Sequence, residues 1–198
     1  MKKAVFFDFF GVISCEIAPI WFRRHFDDKE ADKIKKDIVS LGDIGIIEDD
    51  ETYRRIYERT GIPADQIRSE WDDLVEINEN LVSFLRKVKE RYPIYLLSNA
   101  IDPFLERILK KHDLYSLFDK IFVSSLMHIS KPSKEFFEYV LSDVGLNAED
   151  VVMIDDNRSN LEGAKLAGID GILFEITLNS KRYLILFMKL AICQFKEP

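Results

Sequence analysis

Short, wholly apolar runs alternate along the chain with stretches whose apolar positions recur every three or four residues. Ala4–Phe7, Ile94–Leu97, Ile121–Val123 and Val151–Ile154 each run straight into a polar cluster: Asp8, Ser98-Asn99, Ser124-Ser125 and Asp155-Asp156. Gly171–Phe174, after the turn-like Ala167-Gly168-Ile169-Asp170, is a fifth run. Runs this short and this apolar predict strands buried on both faces of a parallel sheet. Between them lie helical faces: Leu81, Val82, Leu85 and Val88; Phe104, Leu105, Ile108 and Leu109; Phe136, Phe137, Val140 and Leu141. The alternation predicts an α/β fold with a Rossmann-like parallel core. Ligands of such sheets bind beyond the carboxyl ends of the strands, where the polar clusters fall.

One interval breaks the rhythm. A crossover between parallel strands needs only ~10–12 residues, and the gap from Phe7 to Ile94 is several times that. Within it Pro19–Phe26, Lys29–Val39, Glu51–Arg59 and Ala64–Leu74 have helical character, with breaks expected at Leu41-Gly42-Asp43 and Thr60-Gly61-Ile62-Pro63. Residues 16–78 are therefore expected to form a small helical cap inserted after the first strand. Residues 1–15 and 79–198 form the core in this reading.

Composition narrows the class. Of 198 residues, 47% are hydrophobic and 32% charged, as in an ordinary globular protein. A formal net charge of −7 argues against nucleic acid as the main partner. Cys15 and Cys193 offer no disulfide framework, and the amino terminus turns acidic too soon for a signal peptide, so a reducing, cytoplasmic setting is expected. The most apolar stretch, Tyr183–Ile192, is broken by Lys189 and falls far short of the ~20 residues of a membrane span. It reads as a buried or interface-forming helix. Monomer and homodimer both stay open.

Each polar cluster has an ordinary explanation when taken alone. Asp8 could be a surface acid at a strand end. Ser98-Asn99 could cap a helix, and so could Asp156 or Asn157. Lys131 could be solvated surface beside Pro132, which helps to start a helix. Yet a carboxylate after four apolar residues is costly without a partner, and adjacent Asp155 and Asp156 repel unless a cation joins them.

In this order and at strand ends, the clusters resemble the four motifs of the haloacid dehalogenase superfamily. Asp8-x-x-Gly11 is similar to the first motif, Ser98 to the second, Lys131-Pro132 to the third and Asp155-Asp156-x-x-x-Asn160 to the fourth. The last form resembles the subgroup that holds glucose-1-phosphatase-like proteins and the phosphatase domain of soluble epoxide hydrolase. The resemblance implies a Mg²⁺-dependent hydrolase acting on a small phosphorylated metabolite. Asp8 would be the nucleophile and would form an aspartyl-phosphate. Mg²⁺ would be held by the Asp8 side chain, the Phe10 backbone carbonyl and Asp156, with Asp155 in support. Ser98 and the Asn99 amide would hold the phosphoryl group, Lys131 would clamp charge, and Asn160 would orient the fourth-motif loop.

One position departs from the pattern. Phosphatases of the superfamily carry a second aspartate, the proton donor and acceptor, where this chain has Phe10. General acid–base help is worth ~10²–10⁴ in rate, so slow turnover is expected unless another group supplies it. Glu16 and His25 are the candidates within residues 16–78. Trp21, Arg23, Arg24 and Tyr53 are expected to line the substrate site. Two alternatives follow from Phe10. One is a catalytically weak or non-catalytic binding protein. The other is a 2-haloacid dehalogenase, whose branch also has an aromatic residue at this position and needs no metal, though its first motif usually continues Gly-Thr rather than Gly11-Val12.

Overall fold

The computed structural model describes residues 2–175. The apolar segment Tyr183–Ile192 lies outside the described residues. Five strands, β1 (Ala4–Phe7), β2 (Ile94–Ser98), β3 (Lys120–Val123), β4 (Val151–Asp155) and β5 (Asp170–Leu173), form one sheet in the order β3-β2-β1-β4-β5. Every pairing is parallel. The central strand carries the register: Phe7 pairs with Leu96 on one side and Ile154 on the other. Asp8, Ser98 and Asp155 therefore emerge together at one edge of the sheet.

Strand alternation divides the core in two. Val5, Phe7, Leu96, Val152 and Ile154 face one hydrophobic cluster, whereas Phe6, Leu97, Val151 and Met153 face another. Helices α6 (Glu79–Lys89) and α7 (Asp102–Lys111) pack on the first face. Helices α9 (Lys134–Val144) and α10 (Arg158–Leu166) pack on the second, and the short α8 (Ser124–Met127) follows β3. Strands covered on both faces must be apolar throughout, which is why the runs are so plain in the sequence. Caps fix the helix starts: Asn78, Ser133 and Asn157 each accept a backbone N–H of the helix they precede. Ser133, not Pro132, begins α9, and the Ser98-Asn99 pair caps nothing, since Ile101 precedes α7.

Between β1 and α6 the chain forms α1 (Ala18–His25), α2 (Asp28–Ile34), a π-helical turn (Lys35–Val39), α3 (Ser40–Asp43), α4 (Asp49–Thr60) and α5 (Ala64–Leu74). The expected break at Leu41-Gly42-Asp43 is corrected: these residues are helical, and the chain turns just after them at Gly45, where φ is +68°. The helix continues because Gly42, lacking a side chain, fits close against Thr52 and Ile101. The break at Gly61 does occur, with the glycine in a left-handed helix cap. Trp71 of α5 joins these helices to the core. Its ring lies 5.4 Å from Tyr53, 6.3 Å from Phe22, 6.4 Å from Trp21 and 5.6 Å from Phe104 of α7. Such pairs contribute about 0.5–1.5 kcal/mol each beyond their buried area.

The segments by which the chain leaves and rejoins the core are paired at their base. Ser14 bridges Ile77, Cys15 N–H donates to Glu76 O at 3.3 Å, and Asn78 N–H donates to Ile13 O at 2.8 Å.

Candidate active site

The sheet edge opens into a cavity of about 250 Å³. On the core side it is lined by Asp8, Asn99, Lys131, Asp156 and Asn160. At its centre the Lys131 ammonium, fully buried, lies 2.9 Å from Asp8 Oδ1 and 2.8 Å from Asp155 Oδ2. The Phe9 N–H also donates to Asp8 Oδ1, at 2.7 Å. Both of these contacts fall on one oxygen of Asp8, and Oδ2 carries neither.

Asp155 is saturated. Its carboxylate accepts from Lys131, from the Asn157 N–H at 2.8 Å, and from Asn160 Nδ2 at 3.0 and 3.1 Å. It works as the buried anchor that holds Lys131 and ties α10 to β4. Asn99 holds the lysine from the other side: its Nδ2 donates to Lys131 O at 2.8 Å, and Lys131 N–H donates to its Oδ1 at 3.0 Å. That side-chain clamp was not foreseen, because it spans loops far apart in the chain. Gly11 makes room for the last acid. Its φ is +82°, and a Cβ there would lie 2.1 Å from Asp156 Oδ2.

The electrostatics are lopsided. Ligand oxygens of Asp8, Asp155 and Asp156 all lie within 4.8 Å of one another, against the one ammonium of Lys131. Burial pushes the Asp8 carboxyl well above the usual carboxylate range, and Asp155 adds to the rise, while Lys131 and the Phe9 N–H oppose it. Burial, then Glu16, then Asp155 lift Asp156 to about 6. Burial acts to lower the Lys131 ammonium, but Asp8 and Asp155 outweigh it and hold it above its ordinary value. The crowding that lifts Asp8 and Asp156 would be relieved by a cation, and the three carboxyl groups are an all-oxygen donor set suited to a hard divalent one.

A family model of haloacid dehalogenase-like hydrolases matches residues 2–168. The chain belongs to that family. Among relatives of this haloacid dehalogenase-like hydrolase, a drimenol cyclase of Aspergillus calidoustus is 32% identical over 66% of the chain, a match spanning only 26% of the cyclase. A sesquiterpene phosphatase of Aspergillus oryzae is 28% identical over 65% of the chain and 67% of its own length. A haloacid dehalogenase family enzyme of Bacteroides thetaiotaomicron, solved in complex with magnesium and inorganic phosphate, superposes with a TM-score of 0.77 at 25% identity, covering 92% of this chain and 99% of that one.

The other expected residues divide. Phe10 lines the cavity, its ring stacked on Phe104 with centroids 6.0 Å apart and planes 3° from parallel. The Ser98 hydroxyl is buried at the end of β2, makes no hydrogen bond and does not line the cavity. Glu16 does line it. His25 does not: it packs 4.5 Å from the Trp21 ring, with Nε2 3.6 Å from Glu70. Trp21, Arg23, Arg24 and Tyr53 are also absent from the lining of this cavity. Trp21 and Tyr53 are consumed in the aromatic packing around Trp71, and Arg23 pairs with Asp28 and Asp32 at the surface. Ile17, Ala18, Val39, Trp71, Ile101 and Phe104 form the apolar wall in their place.

Proposed function

We propose that the protein is a Mg²⁺-dependent phosphatase that takes a small phosphorylated metabolite through an aspartyl-phosphate on Asp8. The observation that carries this reading is the Asp8 carboxylate, held at Oδ1 by Lys131 and the Phe9 N–H, beside the uncompensated Asp156. Asp8 and Asp156, with the Phe10 carbonyl, would hold Mg²⁺, because Asp155 is already saturated. When bound, the ion would neutralise charge where two anions must meet. Asp8 Oδ2 would attack phosphorus. Lys131, held by Asn99 and Asp155, would stabilise the charge that develops on the phosphoryl oxygens. The Asn99 N–H, on a residue that lines the cavity, is the proposed phosphoryl donor, and Ser98 stands behind it at the end of β2.

Residues 16–78 would act as the cap that sets substrate choice. The wall of Phe10, Ile17, Trp71, Ile101 and Phe104 favours an ester whose non-phosphate part is apolar, in keeping with the sesquiterpene phosphatase relative.

The test is phosphate release from alkyl, prenyl, sugar and p-nitrophenyl phosphates with and without Mg²⁺, beside halide release from 2-chloropropionate. Mg²⁺-dependent phosphate release, fastest on the apolar esters, is expected. Metal-independent halide release would establish the dehalogenase alternative instead, and silence in every assay from folded protein would establish a binding role. By calorimetry, Asp156→Ala is expected to weaken Mg²⁺ binding on the order of 100-fold, since it removes a ligand itself, and losing a group that only orients a ligand already costs roughly 10–100-fold. In the unsubstituted protein, binding should weaken as pH falls through about 6, where Asp156 takes up a proton. Unchanged affinity in the alanine variant would discard the ligand assignment.

A further inference from the structure

The first-motif resemblance implies a proton donor where this chain has Phe10, and the Phe10 ring is committed to Phe104. The cavity nevertheless contains a carboxyl that the core machinery does not use. Asp43 ends α3 and lines the same cavity as Asp8 and Lys131. It arrives there by a helical irregularity. The π-helical turn at Lys35–Val39 widens the helix, and Lys35, Val39, Ser40 and Asp43 then all line the cavity. Single π turns are rare and recur at functional sites.

The backbone around Asp43 is tied to the catalytic edge of the sheet. The Ala100 N–H donates to Ser124 Oγ at 3.0 Å, and the Ser124 hydroxyl in turn donates to the Asp43 carbonyl. His128 Nδ1 lies 3.3 Å from Ile44 O. The loop that carries Ser98 and Asn99 is thus linked through one serine to the residue that carries the second carboxyl.

We infer that Asp43 is the general acid and base of this enzyme, supplied from the helical segment in place of the carboxyl that Phe10 lacks. The inference rests on the phosphatase reading above. In the first half-reaction Asp8 Oδ2 forms a bond to phosphorus, the ester P–O bond breaks, and the departing alkoxide takes the Asp43 carboxyl proton to leave as an alcohol. In the second, the Asp43 carboxylate accepts one proton from water as the water oxygen bonds to phosphorus. The bond from phosphorus to Asp8 breaks, phosphate leaves with the other proton, and both aspartates return to their starting states.

The surroundings suit the role. Burial is the main influence on Asp43 and raises it, Lys35 opposes, and Glu16 adds to the rise, so that its carboxyl titrates at about 7. A group that titrates near neutrality serves as donor and acceptor in turn. The charged groups that act on it are Lys35 on the π turn and Glu16 before α1, and Asp8, Lys131 and Asp156 are the other charged groups of the cavity lining. His128 of the α8 end meets the backbone beyond it.

The experiment compares kcat/KM for an alkyl phosphate, whose leaving group needs a proton, with p-nitrophenyl phosphate, whose leaving group does not. It is run on the Mg²⁺-loaded full chain and on Asp43→Asn and Glu16→Gln. Asp43→Asn is expected to lose ~10²–10⁴-fold on the alkyl ester and less than about tenfold on the nitrophenyl ester. It should also accumulate phosphoenzyme, trapped by acid quench. In the unsubstituted enzyme the alkyl ester profile should fall above about pH 7 and the nitrophenyl profile should not, a measurement that stands even if the variant fails to fold. Equal losses on both esters, the same profile for both, or a selective loss in Glu16→Gln instead would overturn the role of Asp43. A full chain that neither turns over nor becomes phosphorylated would overturn the phosphatase reading and this one with it.

Discussion

Lys131→Met is expected to remove about 3–5 kcal/mol of folding stability, to lower the melting temperature by roughly 6–20 °C, and to abolish turnover. The side chain is fully buried between Asp8 and Asp155, so the variant leaves carboxylates in the interior with no cation beside them. The deficit should shrink at acid pH. Burial already holds the Asp8 carboxyl above the ordinary range, and without Lys131 it rises further. Its stability penalty sets in as pH climbs above the unfolded carboxylate value, and vanishes below it. Mg²⁺ should return part of the lost melting temperature, and combining Lys131→Met with Asp8→Asn should return more, since one of the stranded charges is gone. If Asp8→Asn shifts the melting temperature at neutral pH by the same amount with and without Lys131, the ion pair is not the source of the effect.

Asp8→Asn should separate stability from chemistry. Loss of the proposed nucleophile is expected to reduce turnover on the order of 10⁵–10⁶-fold, below detection in most assays. The fold should be as stable as before or more so at neutral pH. The sign follows from linkage: because the folded-state carboxyl of Asp8 titrates above its unfolded value, its ionised form opposes folding at every pH above the ordinary carboxylate range. Asparagine removes that opposition, keeps an acceptor for the Phe9 N–H, and leaves Lys131 paired with Asp155. A melting temperature that falls by more than a few degrees would mean the Asp8–Lys131 pair is net stabilising, against this account.

Much of this arrangement was legible in the chain because parallel sheets write themselves plainly. Strands covered on both faces leave uninterrupted apolar runs, and the residue after each run lies at the carboxyl end of its strand, which is why Asp8, Ser98 and Asp155 stand out together. What was hidden depends on contacts between distant segments. Nothing near Asn99 announces that its amide grips the Lys131 backbone. Nothing local to Trp21 or Tyr53 says that Trp71 takes their expected place in the cavity wall. Asp43 was missed for a different reason. Leu41-Gly42-Asp43 has the composition of a break, and the π turn before it shifts the helical phase, so a strict 3.6-residue period misplaces the face. The one available signal was the spacing of Lys35, Val39 and Asp43, a four-residue rhythm that runs through the glycine.

The paired segments at Ile13–Cys15 and Glu76–Asn78 have a consequence for divergence. The chain departs from the sheet and comes back at the same spot, fastened there by main-chain bonds that do not depend on which side chains are present. Insertions or deletions beyond that fastening leave the spacing of β1 and β2 untouched. The helices between Cys15 and Glu76 can therefore diverge without retuning Asp8, Lys131 or Asp155, and in the proposed reading that would change the molecules admitted. The same stem marks where an exchange between homologues should be spliced.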